Sequence, residues 1–501
     1  MPIKNLISIS AKTRFHLWLL LIAAFVLRIT AMTVVPLTDT TEARYGEMAR
    51  KMAETGDWIS PQFDYGIPFW AKPPLSTWLS ALSIKMFGVS EFSARFPSLI
   101  LSVAILALIG LWIGNRRGRD QALLTIAVLT CTGLFFASAG AVMTDMSLAL
   151  CTTLTMIAFW NALHSDKKYW GYLFFVGLGV GLLAKGPLVG LLTFLPVGIW
   201  LVLRRQWRTA WQQLPWIVGT LLMLLIALPW YILAEIKTPG FIEYFIVGEH
   251  INRFLHPGWK GDKYGNAHAE PLGTIWLFWF YSAFPFSLIA AAWMARNIRQ
   301  LRALFADDDG WALYLALWSV LLMCFFTFAG NIIWPYVLPA LPAFAALIVE
   351  IYARSQKNAG AFPAKKFIAA CSVVLIAGVT LSALYASGSN RLVKSSQRDL
   401  VNAWMVRRHS AQSQLVFYKR GFQSANFYSR GKAKIAKDIP ELDNLLKNNT
   451  EDFIAIDADD ISTLDTALIA NFCAIGQFNG RVLMIERACA PQLKSKSDII
   501  L

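Results

Sequence analysis

The chain has 501 residues, 56% of them hydrophobic and only 15% charged, with a formal net charge of +15. That apolar fraction excludes an ordinary soluble domain, and repeated runs of about 18 or more apolar residues read as membrane-spanning helices. The positive charge does not mark a nucleic-acid binder, because the Lys and Arg residues sit in short loops between the apolar runs. There the positive-inside rule and contact with anionic lipid headgroups account for them.

The first apolar run, Phe15 to Leu37, is too long for a signal-peptide core and lacks a small-residue cleavage site, so it reads as a retained helix. Further spans are expected at 95–114, 121–139, 146–163, 168–184, 187–203, 214–235, 272–294, 311–329, 334–353 and 367–386, about eleven in all. Segment 75–88, LSTWLSALSIKMFG, is apolar but short for a span. If it crossed, the basic loops NRRGR (115–119), RRQWR (204–208), ARNIRQLR (295–302) and 354–366 would face outward. If it lies along the interface, all of them face the cytoplasm with Lys4, Lys12 and Arg14, and the positive-inside rule selects this arrangement. The polar insert 38–94, the turn at Asp145, the break at Lys185-Gly186-Pro187, the loop 236–271 and the turn at Gly330-Asn331 then gather on the outer face.

The composition changes after about Ser387. LVFYKR (415–420), FIAIDA (453–458) and RVLMIE (481–486) read as strands, and Gln397–Arg408 and Pro440–Lys447 as helices. The expectation is an α-helical polytopic membrane protein, residues 1–386, with a small extracytoplasmic α/β domain, residues 387–501. Cys131, Cys151, Cys324 and Cys371 fall in apolar spans and read as core. Cys473 and Cys489 flank an Asn479-Gly480 hairpin signal, whose two-residue turn pairs Cys473 with Glu486 and leaves Cys489 out of register. The chain shows no internal repeat, heptad array or low-complexity tract.

The insert opens with Asp39-Thr40-Thr41-Glu42 before a helical pattern carried by Tyr45, Met48, Ala49 and Met52. Asp39 and Glu42 either form a capping box or supply a general base for an acceptor hydroxyl, and the roles are compatible. In WAKPP the prolines hold the backbone extended and aim Lys72, which is either a snorkelling anchor or a phosphate ligand. Asp145, at a turn beside hydrocarbon, is a functional candidate or a helix cap. Lys185 sits where Gly and Pro break an apolar run, a place suited to water, a partner charge or phosphate. In EHINRF, Glu249 and Arg253 pair at i,i+4 if helical, while His250 and Arg253 suit phosphate or sugar contact. His268 stands alone and supports no metal site. Arg28, inside the first span, reads as paired within the bundle.

Together TEARYGEMARKMAETGDW, FWAKPP, VMTDMSL, the AKG break, EHINRF and WPYVLPALP, in this order, resemble the bacterial dolichyl-phosphate-mannose–protein mannosyltransferase-like glycosyltransferases of GT-C fold. Within them the chain looks most like the lipid A aminoarabinose transferase branch. The resemblance runs from about residue 15 to 350 and more loosely through the tail. It implies a bacterial inner-membrane enzyme with a periplasmic active site. Such an enzyme takes a sugar, with inversion, from an undecaprenyl-phosphate-linked donor and gives it to a lipid A-like or protein acceptor. It also implies that Arg44, Tyr45, Lys72, Asp145 and Tyr336 match family motif residues. Departures are Thr41 where the family has an acid, Ala71 where an acid often precedes the lysine, and Ile332 where a lysine stands four residues before the tyrosine. Ala71 weakens the case for a divalent metal held by this loop, and no cofactor is otherwise implied.

The expected mechanism holds the departing lipid phosphate with Lys72, Arg44, Lys185 and Arg253 and gives the acceptor proton to Asp39 or Glu42, with Asp145 orienting substrate. On that reading Asp39→Asn abolishes transfer. No P-loop or Rossmann fingerprint is present, and none is needed when the sugar arrives on lipid. The rival readings are a polyprenyl-lipid transporter or flippase, which favours mid-membrane charges and inverted repeats, and a non-catalytic scaffold.

Overall fold

The computed structural model describes residues 7–265, 268–297, 305, 309–355, 362–387, 396–448, 450–463 and 469–486. Helix α1 (Ala11–Val34) is followed by the insert, which holds α2 (Thr41–Thr55), a short hairpin of β1 (Gln62–Asp64) and β2 (Ile67–Pro68), and α3 (Leu75–Phe87). The helical bundle continues with α4 (Glu91–Arg117), α5 (Arg119–Thr130), α6 (Gly133–Ser138), α7 (Asp145–His164), α8 (Tyr169–Lys185), α9 (Leu188–Arg204), α10 (Trp207–Gln213) and α11 (Trp216–Lys237). After a π-helical segment at Tyr244–Asn252 come α12 (Thr274–Ser282), α13 (Phe286–Asn297), α14 (Trp311–Phe326), a 3-10 turn at Trp334–Ala340, α15 (Leu341–Ser355) and α16 (Ala364–Ala386).

Each expected span is helical, but two are broken. The segment expected at 272–294 bends by 110° between α12 and α13, at Pro285, which has no backbone N–H to continue the helix. The segment expected at 121–139 breaks at Cys131-Thr132. The two breaks meet, with Gly133 N donating to the Phe284 carbonyl at 3.0 Å. By length and composition alone, six helices among the described residues can cross a membrane, or seven with the bent pair. Helices α8, α9 and α14 are apolar but shorter. The chain is a multi-pass membrane protein.

The insert leaves and rejoins the bundle at one end. Arg95, 3% exposed near the start of α4, donates to the carbonyls of Met32, Val35 and Pro36 at the end of α1. Arginine here caps the unpaired C-terminal carbonyls of a helix. Because α1 ends where α4 begins, α3 between them returns to its starting level. At 13 residues it spans roughly 20 Å, short of the ~30 Å hydrocarbon layer. Two prolines precede α3, and the reciprocal Ser90–Ser93 hydrogen bonds restart the chain as α4. At the far end of α4, Trp112, Trp160, Trp200, Trp311 and Tyr314 pack as an aromatic core, with Trp112 and Trp311 centroids 4.6 Å apart.

The C-terminal unit holds α17 (Arg398–Arg407), β3 (Leu415–Tyr418), α18 (Gln423–Ser429), β4 (Ala433–Ala436), α19 (Ile439–Leu446), β5 (Phe453–Asp457), β6 (Phe472–Phe478) and β7 (Arg481–Glu486). The sheet order is β4-β3-β5-β7-β6, with β4 and β5 parallel to β3 and the β5-β7-β6 part antiparallel. Asn479 and Gly480 both have positive φ and make the expected two-residue turn. The register differs by one residue from the expected one: Cys473 faces Ile485, because the ladder shifts between Ala474 and Gly476. Cys473 is disulfide-bonded, and Cys489 lies outside the described residues. Cys131, Cys151 and Cys371 are buried free thiols, and Cys324 is free and partly buried.

Candidate functional site

The head of the bundle, where the insert sits, also gathers the ends of α7 and α8. Asp145 is the first residue of α7 and Lys185 the last of α8, so each charge complements its helix terminus. Lys185 Nζ donates to Asp145 Oδ1 at 2.5 Å, with both side chains nearly fully buried. Gly186 follows at φ 72°, and a Cβ there would stand 2.5 Å from the Phe245 ring. Glycine therefore lets the π-helical segment close against the break. Within that segment Phe245 O lies 2.8 Å from His250 Nδ1. The Lys185 carbonyl lies 3.4 Å from Nε2, a longer contact, so the neutral ring carries its proton on Nδ1 with Nε2 turned towards the Lys185 backbone. Burial, assisted by the charge of Lys72, pushes the His250 pKa down and favours that neutral ring.

The second ion cluster joins the insert to the same segment. Lys72 Nζ donates to Glu249 Oε2 at 2.7 Å, and Arg253 Nη1 reaches both Glu249 oxygens at 3.0 Å. The expected i,i+4 pair is thus present, on π-helical turns that recur at functional sites. Burial pushes the Glu249 carboxyl up, but Lys72 and Arg253 outweigh it and hold the group below the ordinary carboxylate range.

Between these clusters lies a cavity of about 220 Å³. Lys72, Lys185, Glu249, His250, Arg253, Asn331 and Tyr336 supply its polar wall, and Leu188, Leu191, Phe254, Phe325 and Phe326 part of its apolar wall. Lys185 Nζ stands 4.3 Å from the Tyr336 ring centroid. The shared site expected for Lys72, Lys185, His250, Arg253 and Tyr336 corresponds to this grouping, with Asp145 behind Lys185. Tyr45 is close enough that the charges of Lys185, Asp145 and Glu249 act on its phenol, whose pKa burial raises. Arg44 does not line the cavity: its Nη1 donates to the Tyr264 carbonyl at 2.7 Å, and its guanidinium lies against the Tyr45 and Phe69 rings.

Asp39 and Glu42 are placed elsewhere. No capping box forms at α2, where Thr40 occupies the cap without a side-chain bond. Asp39 instead accepts the Ser424 N–H at 3.1 Å and the Ser424 hydroxyl, at the start of α18 in the C-terminal unit. The charge acting on it is that of Arg420, not those of the cavity. Glu42 takes a bidentate pair from Arg95 at 2.8 and 2.7 Å and also the Val142 N–H at 3.2 Å. It braces α1, α2, α4 and the approach to α7. Arg28 donates to the Gly140 carbonyl at 2.6 Å, within the bundle as expected.

Asn331 and Glu249 are cavity residues that residue type alone undervalues, the first reading as a turn and the second as half of a surface pair. Ala71 is 3% exposed in a cluster with Phe69, Tyr244 and Tyr264, and it supplies no metal ligand. Among the described residues no group of three or more His, Cys, Asp or Glu side chains is placed to hold a metal ion.

Residues 16–245 match the family model of dolichyl-phosphate-mannose-protein mannosyltransferase. A relative from Enterobacter sp. (strain 638), named undecaprenyl phosphate-alpha-4-amino-4-deoxy-L-arabinose arabinosyl transferase, is 30% identical over 323 residues, 62% of this chain and 54% of its own. The protein of that name from Edwardsiella ictaluri is 28% identical over 345 residues, 66% of this chain and 58% of its own. The chain thus spans little more than half the length of these curated relatives. In fold it is similar to ArnT from Cupriavidus metallidurans. The TM-score is 0.74 to the apo structure at 19% identity, covering 96% of this chain and 100% of that one. Against the structure bound to undecaprenyl phosphate it is 0.73 at 17% identity, covering 95% and 99%. Residues 16–245 thus resemble the dolichyl-phosphate-mannose-protein mannosyltransferases, and the chain as a whole has the GT-C fold of the ArnT structures.

Proposed function

We propose that the chain is an inverting membrane glycosyltransferase that moves a sugar from an undecaprenyl-phosphate-linked donor to a lipid A-like lipid or a protein. The observation that supports it most is the cavity at the head of the bundle, where Lys72, Arg253 and Lys185 surround a space of about 220 Å³. That is the charge a departing phosphate monoester requires. The relatives named for undecaprenyl phosphate-linked aminoarabinose transfer support the donor class.

On this reading the acceptor oxygen attacks the anomeric carbon from the face opposite the phosphate. The carbon–oxygen bond to phosphate breaks, and the phosphate leaves with the electron pair, stabilised by Lys72, Arg253 and Lys185. With a hydroxyl acceptor, the proton passes to a carboxylate beside the cavity. Asp145, behind Lys185, is the candidate once Lys185 turns to the phosphate, because Glu249 is shared by two cations and held at low pKa. The base role expected for Asp39 or Glu42 is given to Asp145 on this reading, since those two are tied to Ser424 and Arg95 while Asp145 is bonded directly to the cavity-lining Lys185. His250 and Tyr336 form part of the wall beside the sugar, and Arg44 lies over the Tyr45 ring in the insert.

The basic loops support an orientation with the opposite end in the cytoplasm of a bacterial inner membrane and with the cavity and the C-terminal unit, residues 387–501, in the periplasm. Purified full-length protein with labelled undecaprenyl-phosphate sugar tests the reading. A glycosylated lipid or protein product is expected when lipid A or periplasmic protein is added. Donor crossing a vesicle membrane without product would instead identify a transporter.

A further inference from the structure

Asn331 lines the cavity, is 6% exposed, and has an amide nitrogen with no hydrogen-bond partner. Its orientation is set by the backbone. The His268 N–H donates to Asn331 Oδ1 at 3.2 Å, so the oxygen must face His268 and the NH₂ must face away. The local chain is held tightly. Glu270 N donates to the Gly330 carbonyl at 2.7 Å, and a Cβ at Gly330 would stand 2.4 Å from Pro257. Ile332 beside it is 1% exposed and packs in the core, so Asn331 is the polar side chain this turn presents to the cavity. A buried donor without a partner costs folding free energy, and its retention at a cavity wall calls for a ligand acceptor.

The cavity already carries three cations suited to phosphate. A neutral NH₂ serves a different purpose: it needs a lone pair and offers none. A hydroxyl, ring or carbonyl oxygen satisfies it. A protonated amine does not, since two donors would then face each other. We propose that Asn331 is a specificity-determining residue that donates to a sugar oxygen of the bound polyprenyl-phosphate donor, so that the sugar carries an oxygen rather than an ammonium at the position facing it. The proposal rests on the glycosyltransferase reading above and adds the class of sugar to it.

Asn331→Asp is the decisive variant, because it keeps an oxygen for the His268 N–H and replaces the donor with an acceptor. Asn331→Ala serves as a second variant. The measurements are kcat/KM for undecaprenyl-phosphate donors carrying matched hydroxy and amino sugars, and the affinity for bare undecaprenyl phosphate. Hydroxy-sugar kcat/KM is expected to fall on the order of tenfold in both variants. Asn331→Asp should also shift the ratio towards the amino sugar, while bare-lipid affinity stays within about twofold. An unchanged sugar ratio in Asn331→Asp, or an equal loss of bare-lipid affinity, overturns the proposal. If the unaltered chain neither binds nor turns over any such donor, the glycosyltransferase reading fails and this inference falls with it. Turnover by the unaltered chain with no sugar-selective loss in the variants sinks the inference alone.

Discussion

Two buried glutamates in this bundle are each held between two cations, yet they do different things. At the end away from the insert, Glu350 accepts from Arg117 at 2.7 and 2.9 Å, from Gln121 at 2.9 Å and from Arg354 at 2.8 Å. These groups tie α4, α5 and α15 together beside the tryptophan core. At the head, Glu249 is shared by Lys72 and Arg253 in much the same geometry. The difference is space. Glu249 and both its cations line the cavity at the head, and Glu350 has no part in it. The composition of an ion cluster therefore does not separate a brace from a site. What separates them is whether the cations can turn from their carboxylate to an incoming anion without losing the packing around them.

Removing each glutamate's environment should give opposite readouts. Glu350→Ala removes the buried carboxylate that Arg117, Gln121 and Arg354 share, and should cost about 3–5 kcal/mol of stability, seen as a large drop in thermal unfolding in detergent. Transfer per folded molecule should be retained. A selective loss of transfer with unchanged unfolding would make Glu350 part of a site and break the comparison. Lys72→Ala is the converse. Arg253 still satisfies Glu249, so unfolding should hardly move, while kcat/KM should drop about 10²- to 10³-fold because a charge on the leaving phosphate is gone. A Lys72→Ala protein with near-normal turnover but weakened unfolding would reduce this cluster to a second brace.

The same contrast explains what is legible without the structure. Spans are legible because long apolar runs carry their own signal, and α3 stands apart from them by its length of 13 residues. Lys72, Lys185 and Arg253 are legible because a charge beside a proline, a glycine break or an aromatic run is conspicuous. The fate of Asp39 and Glu42 is not. Their partners, Ser424 and Arg95, lie 385 and 53 residues away, and nothing local distinguishes a capping carboxylate from a base. Asn331 is equally opaque, since its free amide is defined only by a backbone N–H 63 residues earlier. In the C-terminal unit β4 escapes sequence reading because the edge strand AKIA exposes its central residues, and the register of β6, expected from its hairpin, is missed because the ladder shifts within it.

Asp39 gives the smallest and most discriminating effect. Its carboxylate ties the insert to α18, next to Tyr428, whose hydroxyl takes the Leu37 N–H at 2.7 Å and donates to Glu91 at 3.0 Å. Asparagine can keep the Ser424 N–H bond, so Asp39→Asn should change stability by under about 1 kcal/mol and leave transfer largely intact. Its pH dependence should oppose that of Glu249. Burial raises the Asp39 carboxyl above its ordinary value despite the bonds from Ser424, so its charge costs stability at neutral pH. That cost is relieved as pH falls through the raised pKa. The unaltered chain should therefore gain on Asp39→Asn before ordinary carboxylates titrate. Glu249 is lowered instead; its contribution is fully present above the ordinary value and is lost only as pH falls through the depressed one. Unfolding of the unaltered chain, Asp39→Asn and Glu249→Gln across acidic pH separates the two windows. Loss of transfer in Asp39→Asn at unchanged stability would return the base role to Asp39 and require the C-terminal unit to release it during the reaction.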